Sequence, residues 1–582
     1  MNRLDRAVVA ALVLVLVALG GTLALPRPQQ ASAEPEPFVP QPGATMPPPA
    51  VLREGVLGMP ASITPVTARN RAERALVGLV FSGLVRLGPG TGYQPDLAES
   101  WTSSADGAEW TFTIRDDAIW HDGVPVTADD VVFTVSALQS PEAAGAAAGA
   151  WADVTAEALD ERTVRLTLGT PIGGVLALAT QPLLPVHLLA DVPFADLDTS
   201  DFARFPIGSG PFALTELDGT RAVLVPSSGV IPQEPPFDPD APSIAPEPSG
   251  DSLATPTPAP TSSIPRPYLD TLELEFFGTE EGLAEAFNTG RVDVAAGLSP
   301  AALATLAEAG TDRLTYPTTT LSTVLLNLRP THGELRNDKV RTALLQAIDR
   351  DALVLEALGG IGTMADALVP PTSWAFDATS AGSVAFDRKA ATKALEEAGW
   401  DKKDGKWHAP SGEKPYRLEV MSVLTSANPR LAKVADFVRD AWRDFGFEVE
   451  DVEVRPADLA TRLREGEFTA AVVDIGEGLE PDLYPLLATT QVRSMGSNLA
   501  GYQDPALDPL LEAARAPGTP EERMTAWKAL LAALATRQPL LPLAWNDESM
   551  VVRGVDGMTP RLISDTGDRY WDVLAWRLAA DR

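Results

Sequence analysis

From Tyr93 to Thr134 the chain reads YQPDLAESWTSSADGAEWTFTIRDDAIWHDGVPVTADDVVFT, and two periodicities meet within it. Trp110-Thr-Phe-Thr-Ile-Arg115 alternates at period two, the pattern of a half-buried strand. Asp106-Gly107 before it and Asp122-Gly123 after it are turn dipeptides. Thr127 then stands as an N-cap with Asp130 at the third helical position, a variant of the capping box, so a helix is predicted over Ala128–Gln139. The same alternation continues along the chain. Lys389–Ala398 reads as a helix stopped by Gly399, and Lys433–Phe445 as an amphipathic helix stopped by Gly446. Glu448–Val454 follows as a strand. Strands alternating with helices of this length predict α/β domains, and no internal repeat is visible.

The chain has 582 residues, more than one ordinary core accommodates. Apolar residues make up 45% and charged residues 21%, as in a globular protein. The formal net charge is -33. That excess disfavours nucleic acid, whose phosphates require clustered Lys and Arg. There is no cysteine, which excludes disulfides, thiol catalysis and thiolate metal sites. The four histidines, His121, His187, His332 and His408, are far apart and show no metal-ligand spacing.

Arg3 and Arg6 precede an apolar run, Ala7–Leu25, of roughly 19 residues, near the lower limit for crossing a bilayer. Ala31-Ser32-Ala33 has the form of a cleavage site. Residues 1–33 are therefore expected to be a membrane anchor or a signal peptide, with the anchor slightly favoured, and the rest of the chain to lie outside the cytoplasm. Residues 34–50 form a Pro-rich linker, and residues 229–267 a Pro-rich insertion expected to be disordered at the surface.

The Tyr93–Thr134 stretch resembles the signature of the family 5 bacterial solute-binding proteins, the dipeptide, oligopeptide and nickel binders: PDLAxSW, then DGxxYTFxLR, then WxDGxPVTAxDVVF, in that order. The resemblance extends over almost the whole folded region. Pro206-Ile-Gly-Ser-Gly-Pro-Phe212 is similar to the family's PxGTGPY turn. Leu272-Glu-Leu-Glu-Phe276 and Ala286–Val294 resemble its following strand, helix and strand. Val340-Arg-Thr-Ala-Leu344 with Ala347-Ile-Asp-Arg350 resembles RVRQAL and AIDR, and Gly501–Leu510 resembles YSNPExDxLL. The family's NPxYW segment and its lipobox cysteine are absent.

The resemblance implies an α/β, two-lobed periplasmic-binding-protein-like (type II) fold with an extra subdomain on lobe I. Lobe I is expected over 51–316, including the subdomain 95–192 and the insertion 229–267. Lobe II follows over 317–543, and 544–582 return to lobe I, with hinges at 316–325 and 541–545. The implied function is capture of a small-molecule or peptide ligand by lobe closure and delivery to ABC permease subunits, by a monomer without cofactor, metal or catalysis. The alternative is a membrane-anchored sensor or chaperone-like module not coupled to transport.

Candidate site residues follow from the same resemblance. Asp474-Ile-Gly-Glu-Gly-Leu-Glu-Pro-Asp-Leu-Tyr484 is similar to the loop GWxGDxxDPDxF, whose first acid meets a ligand's α-amino group. Glu477 or Asp474 matches that acid, and Glu480-Pro-Asp482 matches the DPD that holds the loop. An enclosed cation needs such a counter-charge. A solvated acidic loop is the bland reading. Trp374, Tyr484 and Trp545 are expected around the cleft, where aromatic walls give contact area; core packing is the commoner fate of any single tryptophan. Gly208-Ser209-Gly210 lacks the lysine of a phosphate loop and reads as a tight turn ending a crossing strand. His121-Asp122 reads as structural, since no third catalytic group accompanies it.

Overall fold

The computed structural model describes residues 49–90, 92–144, 148–227, 267–306, 310–476, 478–492 and 496–579. The expected anchor, Glu477 and nearly all of the two Pro-rich segments lie outside the described residues. Among the described residues no helix is long and apolar enough to cross a membrane.

One mixed sheet runs through the molecule. Its order is Glu448–Val454, Arg417–Val423, Ala470–Gly476, Asp312–Leu326, Leu541–Val552, Val294–Ala296, Val51–Leu57, Thr271–Phe277, Arg221–Pro226 and Phe212–Leu217. The two long central strands are antiparallel partners from Asp312 with Val552 to Val324 with Leu541, and the register slips between Pro317 and Leu321. They belong to two apolar cores at once. The first core gathers residues from Leu52 to Tyr316 and again from Met550 to Trp576. The second gathers residues from Leu321 to Trp545.

The Tyr93–Thr134 stretch builds a four-stranded antiparallel sheet of Ala98–Ser103, Glu109–Ile114, Thr163–Leu168 and Val154–Ala158, with helix Ala128–Gln139 packed on it. Asp130 anchors this unit. Its carboxylate accepts from the Thr127 backbone N–H at 2.8 Å, from Val186 N–H at 2.8 Å and from the Trp120 indole at 3.3 Å. His121 is equally structural. Its Nδ1 accepts from Gly208 N–H at 3.3 Å and its Nε2 donates to the Gly210 carbonyl at 2.9 Å. Both ring nitrogens are thereby used, and burial holds its pKa below the ordinary value. The Gly208–Gly210 turn is not at a crossing strand as expected. It presses on the end of helix Arg71–Val80, where a Cβ on Gly208 would lie 1.8 Å from the Val80 carbonyl oxygen.

The helix predicted from Lys433 begins at Pro429, because Asn428 caps it by accepting from Leu431 N–H at 3.0 Å and proline suits the first helical position. Gly446, at φ 112°, ends it where expected. Arg341 and Arg350, from the motif segments quoted above, are buried and donate to main-chain carbonyls, Arg341 to Gln538 at 2.8 Å.

The returning C-terminal segment is fixed to the first strand by an ion pair between Arg569 and Glu54, both 0% exposed, with the Tyr570 hydroxyl donating to Glu54 at 3.0 Å. Removing one partner of a buried pair leaves an unmet charge. Arg569→Met is therefore expected to lower the urea unfolding free energy by about 3–5 kcal/mol. Glu54→Leu combined with Arg569→Met removes both charges and should recover most of that loss; a single variant as stable as the parent would refute this account.

Candidate functional site

Among the described residues, the crossing strands lack sheet partners in the middle of their outer edges. On one side Val294–Ala296 pairs with residues 550–552 and Gly362–Met364 with residues 544–546, so the stretch around Asp547 and Glu548 is left open. On the other side Ala470–Gly476 pairs with residues 320–326 and, among the described residues, a single bridge from Thr318 to Ile563 precedes it. A cavity lies at each open edge, one of about 490 Å³ and one of about 660 Å³.

The smaller cavity is lined by Tyr93, Arg561 and Trp571 from the first core's side, and by Ser373, Trp374 and Leu479 from the second's. Arg561 lies 5.4 Å from the Trp571 ring centre and bonds the Gly88 carbonyl. Among the described residues no carboxylate pairs with it, and burial lowers its pKa. Burial, followed by the Glu480 charge, raises the pKa of the Tyr93 hydroxyl.

Two arginines brace the loop behind Trp374. The Arg523 guanidinium lies 4.2 Å from the Trp374 ring centre and pairs with Glu480 at 2.7 Å. Arg515 lies 4.7 Å from the Tyr484 ring centre and pairs with Asp482 at 3.0 Å. Burial raises the Asp482 pKa, which Arg515 opposes. A loop of the first core docks on this layer: Gly173 N–H donates to the Arg515 carbonyl at 2.9 Å. Glu480 and Asp482 are thus loop-holding groups.

The sequence candidates fall in different places. Trp374 lines the smaller cavity, and so does Leu479 of the acidic loop. Tyr484 packs on the second core under Arg515, its hydroxyl 3.0 Å from Thr490 Oγ1. Trp545, expected at the cleft, is 2% exposed inside the second core. Alternation along its strand explains this: Asn546 takes the polar side, bonding Arg430 at 2.8 Å, and leaves Trp545 on the opposite, covered side. Asp474, expected to meet a ligand cation, has its charge met by Arg430 and accepts from Ser322 Oγ at 2.7 Å. Sequence reading missed Tyr93, Arg523, Arg561 and Trp571. Tyr93 was in view as part of the opening motif, whereas the two arginines carry no local signal.

Residues 92–495 match the model of the family described as bacterial extracellular solute-binding proteins, family 5 Middle. The chain is 24% identical over 505 residues to the oligopeptide-binding protein AppA of Bacillus subtilis, covering 86% of each chain. It is 24% identical over 491 residues to the nickel-binding periplasmic protein of Escherichia coli, covering 83% of this chain and 86% of that one. Among solved structures, NikZ from Campylobacter jejuni in complex with Ni(L-His) superposes with a TM-score of 0.69 at 24% identity, over 90% of this chain and 99% of that one. The two-lobed α/β fold is shared.

A Cβ on Gly173 would lie 2.6 Å from Arg523 Nε, whose guanidinium is held between Trp374 and Glu480. Gly173→Val is expected to force the two cores apart at this edge, at a cost of about 1–3 kcal/mol as for other overpacked contacts. Solution scattering should show a larger radius of gyration and melting should occur earlier. Gly219→Val, at a position with no neighbour within 4 Å, is the control and should change neither.

Proposed function

The chain belongs to the family 5 bacterial extracellular solute-binding proteins, and on that footing we propose that it is the receptor of an ABC importer, taking a peptide or related small solute between its two cores, closing on it and delivering it to a membrane permease. The observation that carries this reading is the pair of cavities at the open edges of the strands that join the cores. A solute there touches both lobes and can favour the closed arrangement through its differential affinity for it. AppA of Bacillus subtilis is an oligopeptide-binding protein, and the Escherichia coli relative binds nickel. The lining, aromatic rings with an arginine that no carboxylate pairs with among the described residues, is compatible with peptide-like solutes carrying apolar groups and an acid.

In this reading Trp374 is a wall of the site and Glu477 is the counter-charge for a ligand amine. The Arg430 pairing of Asp474 supports giving that role to Glu477. Tyr484 and Trp545 act behind the wall, holding the loop and the crossing strand. Binding by closure requires no bond-making step, so the protein is proposed to be a receptor without catalysis. It works outside the cytoplasm, and we propose that it does so as a monomer held to the membrane by its N-terminal apolar segment.

Two measurements test this. The solute that co-purifies with the protein should reduce its radius of gyration and raise its melting temperature. Glu477→Gln should weaken a solute with a free amino terminus by about 1.5–3 kcal/mol, as for a charge-assisted hydrogen bond, and leave its N-acetylated form unaffected. Equal losses for both forms would remove Glu477 from the amine role. For the anchor, the mature protein should stay with membranes through a high-salt wash and keep its N-terminal residues; a soluble product beginning at Glu34 would refute it.

A further inference from the structure

The larger cavity contains a half-buried charge that no group among the described residues meets. Most charged side chains lining it are engaged: Arg71 with Glu548, Arg74 with Asp565 at 2.8 Å, Arg430 with Asp474 and Glu280 with the Ser299 N–H at 3.2 Å. Lys433 lines the cavity and is exposed. Lys433 also has no ion pair among the described residues but is open to water, whereas Asp547 is withdrawn from it. Asp547 sits on the crossing strand opposite Pro317, is half-buried, and its carboxylate makes no hydrogen bond or ion pair among the described residues. Burial alone pushes its pKa up to about 6. The same cavity is also lined by Leu298, Pro300, Leu358 and Ile361, which give it an apolar part.

A carboxylate withdrawn from water without a partner costs stability at neutral pH, so the natural complement of this cavity is a cation with an apolar body. We propose that Asp547 is the recognition point for a second protonated amine on the transported solute, distinct from the amino terminus assigned to Glu477, with the solute's apolar part against Leu298, Pro300, Leu358 and Ile361. The assignment rests on the receptor reading and narrows it to amphipathic amines. Because Asp547 lies on the strand joining the lobes, the amine is read at the hinge itself.

The sign of the pH dependence follows. The folded protein holds the Asp547 proton more tightly than the unfolded chain, so stability associated with that proton is present below the unfolded pKa, 3.8, and is lost as pH rises through about 6. At neutral pH the ionised group is a liability that asparagine removes. Asp547→Asn in the full chain is therefore expected to melt higher than the parent at about pH 7.5, and the gap should shrink as pH falls through about 6 and on toward 3.8. Isoamylamine, which stays protonated throughout, should stabilise the parent at the higher pH and much less at about pH 4.5. It should bind the variant about tenfold or more weakly, as for loss of a charge-assisted bond. Isoamyl alcohol, its neutral analogue, should not distinguish the two proteins. A variant no more stable than the parent at the higher pH, or an amine that stabilises both proteins alike or neither, overturns the assignment. Full binding of the co-purifying solute by the variant also ends it, while leaving the receptor reading in place. If the amine binds through Asp547 but scattering shows no closure, the amine site stands and the receptor reading falls.

Discussion

The main-chain pairing of Asp312–Leu326 with Leu541–Val552 is the constraint on which the rest depends. Each strand contributes apolar side chains near one end to one core and near the other end to the second, Tyr316 and Met550 to the first, Leu325 and Leu541 to the second. A ribbon of two strands can twist and bend more readily than a wide sheet, and the register slip between Pro317 and Leu321 falls between the cores. The lobes are therefore packed internally but joined narrowly. The brace of Ser322, Arg430, Asp474 and Asn546 ties the ribbon to the second lobe.

What the sequence made legible was local. The strand at Glu109–Ile114, the helix after Thr127 and the glycine stops at Gly399 and Gly446 are each written within a few residues, and each occurs in the structure at or within one residue of its expected place. Helix Pro429–Phe445 starts ahead of Lys433 because Asn428-Pro429 is itself a local start signal. The site was legible only in part. Trp374 was found because it follows a recognisable segment. The burial of Trp545 and the engagement of Asp474 depend on partners distant in sequence: Thr363 and Leu321 for the first, Arg430 and Ser322 for the second. No periodicity within one segment encodes which distant residue will arrive.

The scarcity of positive charge gives the arginines a special place. With 46 lysines and arginines against 79 aspartates and glutamates, acidic groups outnumber possible partners. Several arginines serve two groups at once. Arg523 and Arg515 each stack on an aromatic ring and pair with a carboxylate. A planar guanidinium can present its face to a ring while its edge donates hydrogen bonds, which an ammonium cannot do. Lysine at either position would keep the charge and lose the layer that shapes the loop around Leu479.

The antiparallel pairing of Arg221–Pro226 with Thr271–Phe277 has a consequence for how the chain tolerates change. Leu224 lies opposite Leu272 and Arg221 opposite Glu275, so the connection between these strands leaves and returns at neighbouring points on one end of a hairpin. Its endpoints are fixed by the sheet whatever its length. The entropy of closing a loop grows only logarithmically, by about 0.6 kcal/mol for each doubling. Evolution can therefore lengthen or shorten this connection with little thermodynamic resistance, and an engineer can splice a reporter domain into it without asking the two cores to accommodate the insert.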